Sequence, residues 1–249
     1  MQATSAPAPP FAVDIAGKSH RGADGAEVAV LDHVSFTLPR NTFTALIGPS
    51  GCGKTTTLRI LTGLDTAYTG TVDPALAEAR IAVAFQEPRL LPWRTVADNV
   101  ALALPDGADK AARVAEALAD VGLAGLEARF PAELSLGQAR RAALARAFAV
   151  RPDVLYLDEP FVSLDEASAQ HLRALLLALW QRERVTVLMV THNVREAVQL
   201  ADRIVLMSAR PAQVVAAIDV PLPRDQRDPA AVTEFAEALS RRHPTIVAL

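Results

Sequence analysis

Cysteine occurs once in this 249-residue chain, at Cys52. An internal disulfide and a cysteine zinc cluster are therefore excluded, and a reducing compartment fits. Long apolar runs are missing as well. Spanning a bilayer takes about 20 apolar residues, whereas the stretch Ala174 to Trp180 is short and flanked by Arg173 and Arg182. Positive charge is not in excess: 25 Lys and Arg against 28 Asp and Glu give a formal net charge of −3. That leaves no basic footprint for nucleic acid and no polybasic patch for a membrane surface. Met1 to Pro10 has neither a basic start nor an apolar core, so residues 1–10 read as a flexible lead rather than a secretory signal.

What is present is a chain that is 51% hydrophobic, enough to bury a large core. Strand-like runs alternate with helix-like runs, which predicts a largely parallel α/β core. Strands are expected at Phe43 to Ile47, Ile81 to Phe85, Val154 to Leu157, Val185 to Val190 and Arg203 to Met207, with a peripheral strand at Ala212 to Ile218. From Glu87 to Val150 strand signals nearly vanish. Val96 to Ala103, Asp109 to Val121 and Leu136 to Val150 read as helices, a helical insertion over about 87–150 of a domain spanning 11–220. Pro221 and Pro223 open a C-terminal extension, 221–249, with one amphipathic helix at about Pro229 to Ser240.

Gly48-Pro49-Ser50-Gly51-Cys52-Gly53-Lys54-Thr55 fits the phosphate-loop pattern G-x-x-x-x-G-K-[ST]. It lies between an expected strand and a helix running from Gly53 to about Thr62. The glycines let successive N–H groups turn inward onto phosphate oxygens, and the helix presents its positive end to the same charge. Lys54 reaches the β- and γ-phosphates of a nucleotide, the Thr55 hydroxyl suits Mg2+, and Thr56 follows in the first helical turn. Cys52 fills a free position of the pattern as a tolerated small residue. Asp158 and Glu159 end an apolar strand, at the carboxyl edge where α/β sheets bind ligands. Asp158 suits Mg2+ held through its water shell, and Glu159 suits activation of an attacking water.

With these residues in view, the chain resembles the ATP-binding subunits of ABC transporters over nearly its whole length. The resemblance rests on the order of residues 48–55, Gln86, Leu134-Ser135-Leu136-Gly137-Gln138, 154–159 and His192. It implies a P-loop NTPase core of RecA-like type with an inserted α-helical subdomain and a peripheral antiparallel β region. It also implies ATP hydrolysis with Mg2+, catalysed by Glu159, His192, Gln86 and Lys54, with Thr55, Gln86 and Asp158 around the metal. Ser163-Leu164-Asp165 resembles the D-loop, so Asp165 crosses to a second copy. Ser135, Gly137 and Gln138 match the signature motif, which closes over ATP held by that second copy. Leu136 is the departure, since the family carries glycine there. Leu136 is strained if its position needs a positive φ or a very close backbone approach, and harmless if it faces away from the nucleotide or packs against a neighbour. The family's adenine-stacking aromatic has no Tyr or Trp counterpart here. His20 is the candidate, with Phe11 as a weaker one.

The segment Glu87 to Val100, with Leu90-Leu91-Pro92-Trp93, resembles the nitrate, sulfonate and taurine importer branch. By that resemblance two transmembrane permease subunits dock near Arg89, Leu90 and Trp93, with Arg94 on the rim. The alternative is that Trp93 is ordinary subdomain core. The implied setting is the cytoplasmic face of a bacterial plasma membrane, with a substrate-binding protein acting indirectly and no nucleic acid. The rivals are a soluble or regulatory ABC ATPase without a transport role, and a cassette that hydrolyses weakly because of Leu136.

Overall fold

The computed structural model describes residues 8–21 and 25–247. Residues 1–7 of the expected lead lie outside the described residues, as do 22–24 of the loop between Arg21 and Glu27. The chain divides into two compact units, Met1–Ala79 with Thr186–Leu249, and Arg80–Val185.

In the first unit, β1 (Phe11–Arg21) pairs antiparallel with β2 (Glu27–Leu38) on one side and β4 (Thr69–Val72) on the other. Phe11, Val13 and Ile15 are buried while Ala12, Asp14 and Ala16 are exposed, the alternation of an antiparallel sheet with one wet face. β4 was not expected: its Thr-Gly-Thr-Val sequence lacks the apolar pattern of a strand. The register shifts between Lys18 and Ser19. Lys18 is buried there, and its ammonium donates to Asp65 Oδ1 at 2.7 Å and to the Ala67 carbonyl at 2.8 Å. That hydrogen bond holds the Asp65 carboxyl below its usual range.

The same unit carries β3 (Phe43–Ile47), β7 (Thr186–Thr191), β8 (Arg203–Met207) and β9 (Val214–Asp219), in the order β7-β3-β8-β9. The first three run parallel and β9 antiparallel. Every residue of β3 and β7 is buried, as continuous apolar runs in a parallel sheet covered on both faces require. Helices α1 (Lys54–Leu61), α2 (Pro74–Glu78), α7 (Val194–Leu200) and α8 (Pro229–Arg242) complete it. α8 starts at an Asp228 cap followed by Pro229 and buries Val232, Ala236 and Leu239 along one face. Just before it, Arg224 donates to the Leu200 carbonyl at 2.7 Å, and Arg227 donates to those of Gln199 and Ala201. These cations satisfy the last carbonyls of α7, which no intrahelical N–H can reach. Burial, with Arg224 nearby, pushes the Arg227 guanidinium down to about 10.

In the second unit, β5 (Ile81–Ala84) and β6 (Val154–Asp158) pair in parallel, with Ala84 opposite Leu157. Helices α3 (Val96–Ala101), α4 (Lys110–Asp120), α5 (Leu136–Ala149) and α6 (Glu166–Glu183) belong to this unit. α5 is rich in alanine, and five of its six alanines are buried, so neighbouring helices approach it closely. α6, of 18 residues, extends well beyond the short apolar stretch Ala174 to Trp180.

Candidate nucleotide-binding site

In the first unit the chain leaves β3 at Ile47, turns through Gly48 to Gly53 and enters α1. Two glycines are indispensable to that path. A Cβ on Gly48 would lie 2.8 Å from Cys52 Sγ and 3.0 Å from the Met207 carbonyl. Gly53 has φ 124°, and a Cβ there would lie 2.6 Å from Leu31 Cδ2. As Gly53 is the N-cap, no side chain caps α1, so the helix end keeps its capacity to receive an anion. Lys54 folds its ammonium back onto the loop, donating to the Gly48 carbonyl at 2.8 Å and the Pro49 carbonyl at 3.0 Å. Thr55 is exposed on the first turn and Thr56 is half-buried. Cys52 is buried, and burial raises its thiol pKa, which makes it a poor nucleophile.

The register of β3 and β7 pairs Ile47 with Thr191, so His192 leaves β7 level with Gly48. The turn after it is fixed locally. The Thr191 hydroxyl donates to Glu196 at 2.8 Å and accepts from the Asn193 N–H, while Asn193 Oδ1 caps α7. His192 itself is exposed. A cleft of about 520 Å³ is lined by Gly48, Pro49, Ser50, His192 to Arg195 and the C-terminal turn Pro244 to Ile246. Buried Val247 anchors that turn, its carbonyl accepting from the Ser240 hydroxyl at 2.9 Å. The turn's sequence carries no binding pattern, so only the fold reveals it as a wall of this cleft.

His20 is exposed near the end of β1, opposite Val28. Phe11 cannot stack on a base, contrary to its candidacy. It lies at the other end of β1, fully buried, with the Arg40 guanidinium 3.4 Å from its ring centroid.

In the second unit β6 delivers the two carboxylates. Asp158 is buried at the strand end, and Glu159 follows with φ 46°. Extending the Ala84–Leu157 register by two residues sets Gln86 level with Glu159. The loop after Gln86 is clamped by a residue that the sequence did not single out. Arg146 of α5 donates to the carbonyls of Arg89 and Pro88, both at 2.9 Å. Arg89 in turn lies over the Phe85 ring at 4.0 Å. Buried Asn99 then staples the next turn, accepting from the Leu91 N–H at 2.7 Å and donating to the carbonyls of Leu91, Arg94 and Thr95. Leu90 is half-buried, and Trp93 is left 71% exposed. Trp93 is therefore not subdomain core.

Ser135 is the N-cap of α5 in a reciprocal box. Its hydroxyl accepts from the Gln138 N–H at 3.2 Å, and Gln138 Oε1 accepts from the Ser135 N–H at 2.9 Å. Leu136 is the first helical residue, with no positive φ and a side chain 43% exposed, so its backbone carries no strain there. Nothing among the described residues requires Gly137 to be glycine. Its φ is ordinary, and a Cβ would meet only Ser168, Oγ at 3.8 Å and Cβ at 3.9 Å, both relaxed contacts. A groove of about 300 Å³ separates Ser135, Gly137 and Gln138 from Ser168 and His171 of α6. Asp165 caps α6, accepting from the Ser168 N–H at 2.9 Å, and hydrogen bonds from the Ser168 side chain and then its backbone hold the Asp165 carboxyl below the usual range.

A glycine cradle with a lysine, a strand-end carboxylate pair and a histidine are the parts that phosphoryl transfer to water requires. Among relatives, an aliphatic sulfonates import ATP-binding protein of Streptomyces avermitilis is 47% identical, over 86% of this chain and 84% of its own. A protein of the same name from Burkholderia cenocepacia is 42% identical, over 86% and 83%. Among solved structures, a dimeric ATP-binding cassette in a post-hydrolysis state, bound to ADP and Pi, superposes with a TM-score of 0.72. It is 25% identical, with 86% of this chain and all of that one covered. The sequence profile described as ABC transporter matches residues 31–162, and on that ground and the identities above the chain belongs to the ABC transporter family, as one of its ATP-hydrolysing subunits.

Proposed function

We propose that this chain powers an importer of aliphatic sulfonates from the cytoplasmic face of a bacterial membrane. Two copies of it would hold two ATP molecules between them. The glycine cradle running into an uncapped α1, with His192 placed beside it, carries the reading. The names of the relatives support sulfonate as the substrate class, and they give nitrate and taurine no support.

In this reading the loop from Gly48 to Thr56 holds the triphosphate, and Lys54 and His192 neutralise charge that builds on the γ-phosphoryl group. Glu159 orients and deprotonates the attacking water, and Gln86 senses it. His20 stacks on the base. Among the described residues no group of three or more His, Cys, Asp or Glu could hold a metal by itself. That suits Mg2+, which binds through one or two protein oxygens and the substrate's phosphates. Thr55, Asp158 and Gln86 would hold it there, and it would shield phosphate charge. Ser135, Gly137 and Gln138 serve the nucleotide of the second copy. The open space over Gly137, where a Cβ would meet only ordinary contacts with Ser168, supports this, since it leaves the backbone accessible to an outside group. Asp165 would face the same partner while capping α6.

Leu136 leaves this scheme intact. Restoring glycine there should change turnover by only a few-fold, since the side chain is exposed at the first helical position. A rise of about a hundredfold, or roughly 2.7 kcal/mol of barrier, would show instead that the natural site is impaired.

Exposed Trp93, on a turn fixed from within by Asn99, supports docking of the permease subunits around Arg89, Leu90 and Trp93. The test uses the chain assembled with its permease partners and binding protein in vesicles. An aliphatic sulfonate should stimulate ATP hydrolysis, and Trp93→Ala should abolish that stimulation while the isolated chain keeps its basal rate. If no sulfonate stimulates hydrolysis, the substrate class is wrong. If Trp93→Ala is stimulated like the parent, the docking site is wrong.

A further inference from the structure

Glu159 occupies an unfavourable backbone position twice over. Its φ of 46° lies in the left-handed region, which costs a non-glycine residue about 1–2 kcal/mol. It also precedes Pro160, whose ring disfavours helical conformations at the residue before it. Such a conformation persists only where the surroundings over-determine it. Within the turn, the Val162 N–H donates to the Glu159 carbonyl at 3.3 Å.

A second constraint comes from α5. Arg140, 6% exposed and two residues past Gln138, donates from Nη1 to the Pro160 carbonyl at 3.1 Å. Its Nε is buried without a partner. Burial alone pushes the guanidinium down from its usual range. A stabilising pair is thus not what Arg140 provides, since a buried cation without a full set of partners carries a net cost. It sits instead where a buried Nη1 donor holds the carbonyl of the residue that follows the strained carboxylate.

We propose that Arg140 is a positioning residue for Glu159, fixing the Pro160 peptide and thereby the direction in which the carboxylate points. This rests on the reading of Glu159 as the general base. Arg140 lies one turn into α5, whose first residues are assigned to the second copy's nucleotide. One rigid helix therefore joins the contact with the partner's ATP to this copy's own water-activating group.

The test is a double-mutant cycle of Arg140→Met and Glu159→Gln, read as kcat and as KM for ATP. Arg140→Met should lower kcat about tenfold with KM unchanged within twofold, a loss confined to the chemical step. In a Glu159→Gln background the same substitution should change the residual rate by less than twofold, because it acts through a carboxylate already removed. Arg140→Lys, a cation of similar reach, should restore part of the loss. If Arg140→Met fails to fold, Arg140→Gln keeps a donor in the pocket and runs the same cycle. Equal losses in both backgrounds, or a loss carried by KM, would overturn the positioning role while leaving Glu159 as the base. A Glu159→Gln chain hydrolysing at the parental rate would instead remove the base itself.

Discussion

Glu159→Gln should bind ATP nearly as well as the parent and hydrolyse it about 10²–10⁴ times more slowly, the range that general base catalysis contributes. That range equals roughly 2.7–5.4 kcal/mol of barrier. Glutamine matches glutamate in size and can still hydrogen-bond the water, but it cannot accept its proton. The left-handed φ of 46° is as accessible to glutamine as to glutamate, so the turn into Pro160 survives the change. Cleavage is what would release the two copies from each other, and the variant should therefore accumulate as a dimer when ATP is added. Phosphate release at steady state, nucleotide binding by filter retention and size-exclusion chromatography with ATP check the three parts separately. Hydrolysis at the parental rate would remove Glu159 from the chemistry. A slow variant that stays monomeric with ATP would keep the base and reject the shared-nucleotide dimer.

The parts of the site legible in the sequence are those whose chemistry is written into consecutive residues. The loop from Gly48 to Thr55 is one, because turning N–H groups onto phosphate takes glycines at fixed spacing, and the structure shows what a Cβ would strike at Gly48 and Gly53. The buried strands were equally plain, since a parallel strand covered on both faces leaves an unbroken apolar run. What escaped was set by packing. Arg140 and Arg146 look like ordinary charges on an alanine-rich helix. The carbonyls they hydrogen-bond lie 20 and 57 residues away in sequence, at Pro160 and Arg89. The turn Pro244 to Ile246, which borders the cleft, closes an extension that Arg224 and Arg227 tie to the end of α7. Phe11 and Trp93 show why residue type alone misleads. One aromatic is sealed under Arg40, and the other is held outward by a turn that Asn99 staples. Leu136 was the largest doubt raised by the sequence. Part of that doubt is a backbone angle, and the helix that Ser135 caps gives Leu136 an ordinary one.

Gly53→Ala should be the most damaging single change in the phosphate loop, and its effect should divide into two measurable parts. An alanine at φ 124° sits in backbone space that L-residues rarely enter, a strain of about 1–3 kcal/mol. Its Cβ would lie 2.6 Å from Leu31 Cδ2 and 3.1 Å from Val30 Cγ1, both fully buried side chains of β2. Forcing a methyl into a packed core costs a further 1–3 kcal/mol or so. A loop that kept its shape would then lose about 2–6 kcal/mol of stability, and for a chain of this size each kcal/mol lowers Tm by about 2–4 °C. A loop that relaxed would lose less stability, but the first turn of α1 would rotate away from the phosphates and ATP affinity would fall instead. Gly51→Ala separates strain from packing. Its φ is also positive, at 74°, yet a Cβ there meets nothing within 4 Å. Thermal melting with and without ATP, run on both variants, should place Gly51→Ala about 1–2 kcal/mol below the parent and Gly53→Ala well below that, or without an ATP-induced shift. A Gly53→Ala chain that melts like the parent and is stabilised by ATP to the same degree would mean that the conformation at Gly53 is not required for holding the nucleotide.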